Sequence, residues 1–362
     1  MKRFLKLIGL LILVIVIAAA GAAAFVYWDL HRPISHTKAE AYVEIPKGLS
    51  SYEIMARLRD AGIIRRAWPL WLYVRWTGSA GRLKAGEYRF PTPISPLTVL
   101  RRLNEGEQRL ARFTVIEGWT RWEIADAMAH MQELHLNGPD EALALMDDTS
   151  SVHEFAPEAK NLEGMLFPDT YSFPPEATSG QIISGLVKRF KQEWKPEWNQ
   201  RAAQLGVTPY EAVTIASLIE TEAKLKEERP IIASVIYNRL KKGMPLGVDS
   251  TLIYASKLAG TWRNDGRVYK SDIDRQSPYN TRNRLGLPPG PVGSPGISSL
   301  TAALNPASTN YLYYVREPSR NDGAHNFYSN AADFEKGVQA LRDWEKQRDA
   351  RNSSSTVSPA AK

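Results

Sequence analysis

Cysteine is absent from the 362-residue chain. That excludes disulfides, thiolate nucleophiles and cysteine-bound metals, and it leaves the redox state of the compartment open. Histidine is scarce as well: the six residues show no ligand spacing, so no metal site is expected. No glycine-rich phosphate loop is present, and no organic cofactor is expected either. Charge of one sign is nowhere concentrated. The formal net charge of +7 is mild and spread along the chain; it suits an anionic surface such as a bilayer or an acidic polymer and gives no argument for nucleic acid.

Residues 7–28 lack charge altogether and are long enough to cross a hydrocarbon core of about 30 Å as a helix. Lys2, Arg3 and Lys6 precede this run, and Tyr27 and Trp28 close it as interfacial aromatics. By the positive-inside rule residues 1–6 are cytoplasmic and the rest lies outside. The Ala-rich stretch at 18–24 offers the rival reading of a cleaved signal peptide, but the apolar run exceeds a usual signal core, which favours an uncleaved anchor over 7–28. Residues 29–40 are polar, contain Pro33 and read as a short tether.

A weak internal repeat follows. Lys47-Gly48-Leu49-Ser50-Ser51-Tyr52-Glu53-Ile54 matches Glu117-Gly118-Trp119-Thr120-Arg121-Trp122-Glu123-Ile124, each after a β-rich entry at 42–45 and 113–116. Ser50 with Glu53 and Thr120 with Glu123 form capping boxes, so each copy is a strand, a Gly turn and a capped helix. The second copy resembles half of a LysM module, the βααβ unit that grips N-acetylated glycans. Strand–turn–helix units are also common in proteins that bind no glycan. The region 41–155 is expected to be LysM-like strand–helix structure, with a strand at 86–90 and a Ser-capped helix at 95–103.

The stretch 208–254 organises the remainder. Thr208, Pro209 and Glu211 signal a strong helix start. Ala212, Ile215, Ala216, Ile219 and Ala223 fall on one face, widened by Val213 and Leu218. Glu220 and Glu222 lie on opposite margins of that face, equally eligible by geometry to sit in a partly desolvated cleft wall, where a carboxylic acid keeps its proton for donation. A second helix begins at Pro230, includes Asn238 and stops at Gly243. On pattern alone the pair also reads as an antiparallel hairpin with salt-bridging glutamates on its rim.

Further segments carry polar and aromatic chemistry. Leu162-Glu163-Gly164-Met165-Leu166-Phe167-Pro168-Asp169-Thr170-Tyr171 is an aromatic, Pro-broken loop suited to a sugar subsite, or to covering a core. Asp249 and Ser250, followed by Thr251, read as an N-cap pair for a helix at 252–256. Residues 277–291, with Tyr279, Asn280 and Pro288-Pro289, form a rigid irregular stretch suited to a binding wall. His325 stands alone as a polar cleft residue or a structural one. Residues 346–362 are polar, Ser/Ala-rich and expected to be disordered.

The run ASLIETEAKLKEERPIIASVIYNRL, then LGVDSTLIYA, SPYNTRNRLGLPPGPVGSPG and HNFYSN, closely resembles the MltG (YceG-like) family of membrane-anchored endolytic murein transglycosylases. The resemblance covers nearly everything after the apolar segment. It implies a mainly helical catalytic domain over 156–345, hence an α+β chain overall. It implies that Glu220, ending the ASxxE element, is the catalytic acid/base, and that Glu163, Asp169, Tyr171, Glu222, Asn238, Asp249, Ser250, Thr251, Tyr279, Asn280 and His325 are substrate-side candidates. Arg282 stands where family members commonly carry an aromatic residue. The resemblance further implies peptidoglycan glycan strands as substrate, an inner-membrane anchor with a periplasmic catalytic domain, and cell-wall synthases as partners. The activity implied is cleavage of the MurNAc–GlcNAc bond to 1,6-anhydro ends; a muramidase-type hydrolase and a non-catalytic glycan-binding scaffold are the alternatives.

Overall fold

The computed structural model describes residues 2–355 except 40, 107–109, 133, 135, 175, 176 and 321. It is an α+β structure of two compact units, the first comprising Met1–Ala111 with Ser172–Pro175 and the second Arg112–Tyr171 with Glu176–Lys362.

The first unit begins with α1 (Lys2–His31), the one helix among the described residues long and apolar enough to cross a membrane. Its side chains from Leu7 to Ile17 are exposed, so nothing among the described residues covers them. Behind it come β1 (Tyr42–Ile45), α2 (Ser51–Asp60), α3 (Ala67–Thr77), β2 (Gly86–Arg89) and α4 (Pro96–Glu105). β1 and β2 pair antiparallel with Val43 opposite Tyr88, closing a βααβ order. The expected box starts α2: Ser50 N–H donates to the Glu53 carboxylate at 2.7 Å and Glu53 N–H to Ser50 Oγ at 3.3 Å. Ser95 caps α4, with Pro96 in its first turn. Alternation on β1 and helical periodicity on α2 to α4 converge on one core containing Ile45, Met55, Leu58, Leu70, Val74, Tyr88 and Leu103.

Residues 29–39 are not a loose tether. Asp29 is buried and accepts from Arg66 at 2.8 Å, Ile34 exchanges both backbone hydrogen bonds with Ile94, and Ala39 accepts from the Arg89 side chain. The polar composition concealed an apolar anchor, Ile34, whose burial and backbone pairing offset the entropy of ordering the segment.

The second unit opens within β3 (Ala111–Thr114) and continues through α5 (Arg121–Ala129) and α6 (Pro139–Met146) to the first half of β4 (Thr170–Phe173). Inside this unit Val115 N–H donates to the Asp169 carbonyl and Thr114 bonds Thr170. The second repeat copy therefore belongs to this unit. Then come α7 (Ser179–Glu193), α8 (Pro196–Leu205), α9 (Pro209–Glu222), α10 (Arg229–Lys241), α11 (Asp249–Leu258), α12 (Lys270–Ile273), α13 (Ile297–Leu304), the antiparallel pair β5 (Tyr313–Arg316) and β6 (His325–Tyr328), and α14 (Ala331–Ser355).

Helix α9 is the centre of the unit. Every residue from Ala212 to Ile219 is buried, because α10 packs on one side and α13 on another. Its polar members are satisfied locally: Thr214 Oγ1 donates to the Tyr210 carbonyl and Ser217 Oγ to that of Thr214. The hairpin expected of α9 and α10 is thus part of a three-helix layer.

Two expectations are corrected. The N-cap of α11 is Val248, and Asp249 and Ser250 are its first helical residues, because Asp249 is drawn to Arg282 instead of back onto the helix backbone. Residues 346–355 continue α14 as helix, supported by its content of good helix formers, whereas 356–362 lie outside the described residues.

Leu58→Ala, at a fully buried position, is expected to lower unfolding free energy by about 2–5 kcal/mol, while Arg59→Ala next to it, on the exposed face, stays within about 0.5 kcal/mol. Urea denaturation of the two variants checks the difference.

Candidate active site

The site is built where α9 ends. Ala223 takes an extended conformation, the chain turns, and α10 restarts at Arg229. This break brings the last turn of α9 and the first turn of α10 together. Arg229 Nη2 donates to Glu220 Oε1 at 2.7 Å, and the two side chains are only 8% and 5% exposed. The other oxygen, Oε2, accepts the Gly296 N–H at 2.9 Å. Burial was the only perturbation expected of Glu220; a guanidinium and a backbone amide are added to it.

A second carboxylate shares the same cation. Glu117 Oε2 lies 3.8 Å from Arg229 Nη2 and is half-exposed. Nε and Nη1 of Arg229 are buried with no protein partner among the described residues.

Two chain segments are zipped together above Glu220. Gly118 N–H donates to the Ser294 carbonyl at 2.8 Å, and Ser294 N–H to the Trp119 carbonyl at 2.7 Å. Val292 N–H donates to Ser217 Oγ at 3.0 Å, fixing the same run to α9. At 293 such contact requires glycine, since a Cβ would stand 2.5 Å from the Gly118 carbonyl oxygen; at 296 a Cβ would stand 1.9 Å from Glu117 Oε1, the end of a half-exposed side chain.

Glu222, the rival of Glu220 on the helical wheel, points elsewhere. It accepts from Tyr314 Oη on β5 at 2.8 Å, and burial raises its pKa. His325 is paired with Glu228, which accepts its backbone N–H at 2.8 Å and bonds its Nδ1 at 2.7 Å; the pair pins the turn that precedes Arg229.

The remaining candidates separate into two groups. Ser250 Oγ accepts from Thr221, the neighbour of Glu220; Thr251 and Thr281 bond each other in the interior; and Asp249 accepts from Arg282 at 2.6 Å. These contacts draw the start of α11 and the 281–282 loop to the end of α9. Asn280 is fully buried and donates to the carbonyls of Ile273 and Arg275, and Tyr279 packs on Tyr254 at 4.7 Å. Asn238 donates to the carbonyls of Thr309 and Tyr311, a fold contact.

Residues of the aromatic loop have partners of their own. Glu163 is 1% exposed and accepts the Arg121 N–H that opens α5, while burial pushes its pKa up to about 7. A group so enclosed supports the loop from within. Asp169 pairs with Arg189 at 3.0 Å, and Tyr171 Oη donates to the Phe167 carbonyl, its pKa raised by burial. A cavity of about 900 Å³ is lined by Tyr210, Tyr237, Asn238, Pro288 and Thr309, and Glu220 does not line it. Within the proline-rich stretch, then, Pro288 lines that cavity and Gly296 meets the glutamate.

Arg229, Glu117 and Gly296 escaped the reading of the sequence. The repeat had marked 117–119 only as a helix approach, and Arg229 stood one residue before the expected start of α10. An Arg at the head of a helix that follows an acidic helix end was the available signal.

The comparisons agree with one another. The model of the YceG-like family matches residues 43–340. An endolytic murein transglycosylase of Bacillus subtilis is 34% identical over 313 residues, covering 81% of this chain and 83% of the relative. One from Streptococcus pneumoniae is 28% identical over 356 residues, with 91% of this chain and 64% of that longer relative covered. A crystal structure of a putative YceG-like protein from Listeria monocytogenes superposes with a TM-score of 0.55 at 31% identity, over 82% of this chain and 98% of the other.

Two outcomes follow from the geometry. Gly293→Ala is expected to destabilise by about 1–3 kcal/mol, since backbone meets backbone. Gly296→Ala is expected to cost less, because Glu117 can swing away; urea denaturation of both variants checks the order. Glu163 has a folded pKa raised from 4.5 to about 7. Its contribution is fully present below pH 4.5 and lost as pH rises through about 7, an order of roughly 3 kcal/mol. Subtracting the pH–stability curve of Glu163→Gln from that of the parent should expose this fall, and a flat difference contradicts it.

Proposed function

This chain belongs to the YceG-like family, and on that premise we propose that it is a membrane-anchored endolytic lytic transglycosylase that cuts nascent peptidoglycan between MurNAc and GlcNAc. The observation that carries the reading is the buried carboxylate of Glu220, held by Arg229 and the Gly296 amide at the end of α9. Cleavage of a glycosidic bond requires a proton for the leaving oxygen and a way to quench an oxocarbenium-like centre. In its protonated form Glu220 delivers that proton to GlcNAc O4. The carboxylate left behind is received by the guanidinium and the amide, donors already in place before the reaction. Glu220 then takes the proton of the MurNAc C6 hydroxyl, which attacks C1 and closes the 1,6-anhydro ring. No water enters the product.

The anchor and its surroundings follow the same reading. The apolar run of α1 spans the inner membrane, the cations that precede that run stay in the cytoplasm, and the remainder is periplasmic. The short, docked segment at 29–39 keeps the first unit near the membrane, where glycan strands emerge beside the synthases that are its expected partners. The βααβ order over 42–89 supports a LysM-like, glycan-gripping role for that unit.

Glu117 supports a second reading. A carboxylate sharing Arg229 with Glu220 is placed to serve a muramidase-type hydrolysis with water as nucleophile.

Glu220→Gln is expected to lower the rate of anhydro-product formation by at least about 10²–10⁴-fold, measured by mass spectrometry of digested murein. The substitution leaves a buried Arg229 without its partner, a loss of about 3–5 kcal/mol, so thermal unfolding is measured alongside to show that the variant is folded at the assay temperature. Glu117→Gln separates the two readings: the transglycosylase retains anhydro product at a reduced rate, whereas the hydrolase loses turnover altogether.

A further inference from the structure

Helix α3 has an apolar face that the described residues of its unit cover only in part. Ala67, Leu70 and Val74 point into the core, and Trp68, Leu72 and Trp76 are exposed. At 3.6 residues per turn the exposed trio shares an arc of roughly 100° with Arg75. Trp76 is 84% exposed, the most of any large apolar side chain described. A large apolar stripe left in water by a folded unit marks an interaction surface.

The stripe is continuous with the apolar helix. Trp68 stacks on Phe25 of α1, ring centroids 5.9 Å apart and planes at 10°. Phe25 precedes the interfacial pair Tyr27 and Trp28, so Trp68 sits at the depth of the apolar run's outer end. The orientation is locked: Arg66, the N-cap of α3, bonds the buried Asp29 of α1 at 2.8 Å and lies over the Phe25 ring at 5.2 Å. Side-chain types match the depth. Tryptophan is a residue of bilayer interfaces, and Arg32 lies over Trp28 and Arg75 over Trp71, guanidinium groups of the kind that pair with lipid phosphates.

From this geometry we infer that α3 lies on the outer leaflet, with Trp68, Leu72 and Trp76 inserted among the headgroups of an anionic lipid surface, so that the first unit is fixed to the bilayer at two places. The inference rests on α1 being a membrane span. A single spanning helix alone leaves the unit free to tilt; the second contact fixes its orientation.

The absence of native cysteine makes the test direct. The full chain carrying Val14→Cys, Leu72→Cys or Trp76→Cys, each labelled with the environment-sensitive fluorophore NBD, is reconstituted in phosphatidylethanolamine–phosphatidylglycerol vesicles. The expected result is that labels at 72 and 76 lose quenching by aqueous iodide and gain quenching by lipids carrying a nitroxide near the headgroup, while the label at 14 responds only to nitroxide deep in the acyl chain. A deep label at 14 with iodide-accessible labels at 72 and 76 overturns the inference and leaves the anchor intact. Iodide access at all three overturns the anchor and the inference together.

Discussion

The ion pair between Glu220 and Arg229 is the constraint on which the arrangement of the second unit depends. Both members are almost wholly withdrawn from water, and neither is tolerable there alone. The helix must therefore stop after Glu222 and restart at Arg229, and the interval must be held. Glu228 performs that through His325 on β6, and Glu222 anchors the same region to Tyr314 on β5. The turn is thus braced from the sheet side by two further acid–partner contacts, on a helix that is itself buried along most of its length.

Three buried acids in this unit show how environment divides like groups into different tasks. Glu163 has one backbone donor sharing its two oxygens and is dominated by burial, which pushes it to about 7. Glu222 has a phenol and is also raised by burial. Glu220 alone faces a guanidinium, with a backbone amide on its second oxygen and a half-exposed carboxylate across the cation. Preset donors on both oxygens, and not burial alone, set Glu220 apart from the other two.

What the sequence disclosed depended on range. Capping boxes at Ser50/Glu53, Thr120/Glu123 and Thr208/Glu211 are local chemistry, and each helix begins where its box predicts. The core face of α9 was legible from its period, and the choice of Glu220 over Glu222 required family resemblance. Contacts across the chain were not legible. Nothing in the periodicity of α9 indicates that Gly296 supplies an amide to Glu220, or that Glu117 reaches the same guanidinium, because both depend on how distant loops zip together through Gly118 and Ser294. Asn280 and Glu163 carry the chemistry of ligand-contact residues and serve as interior locks; a sequence shows a polar side chain without showing which way it faces. Composition misled at 29–39 and at 346–355, where polar residues concealed a backbone bridge and a helix.

The central claim is that the chain breaks a glycosidic bond without consuming water, through the Glu220 carboxyl. The most direct measurement is digestion of purified murein in water enriched in heavy oxygen, followed by mass spectrometry of the new glycan ends. The account predicts 1,6-anhydro ends that carry no heavy oxygen. Reducing ends that incorporate the label would show that water is the nucleophile and would contradict it.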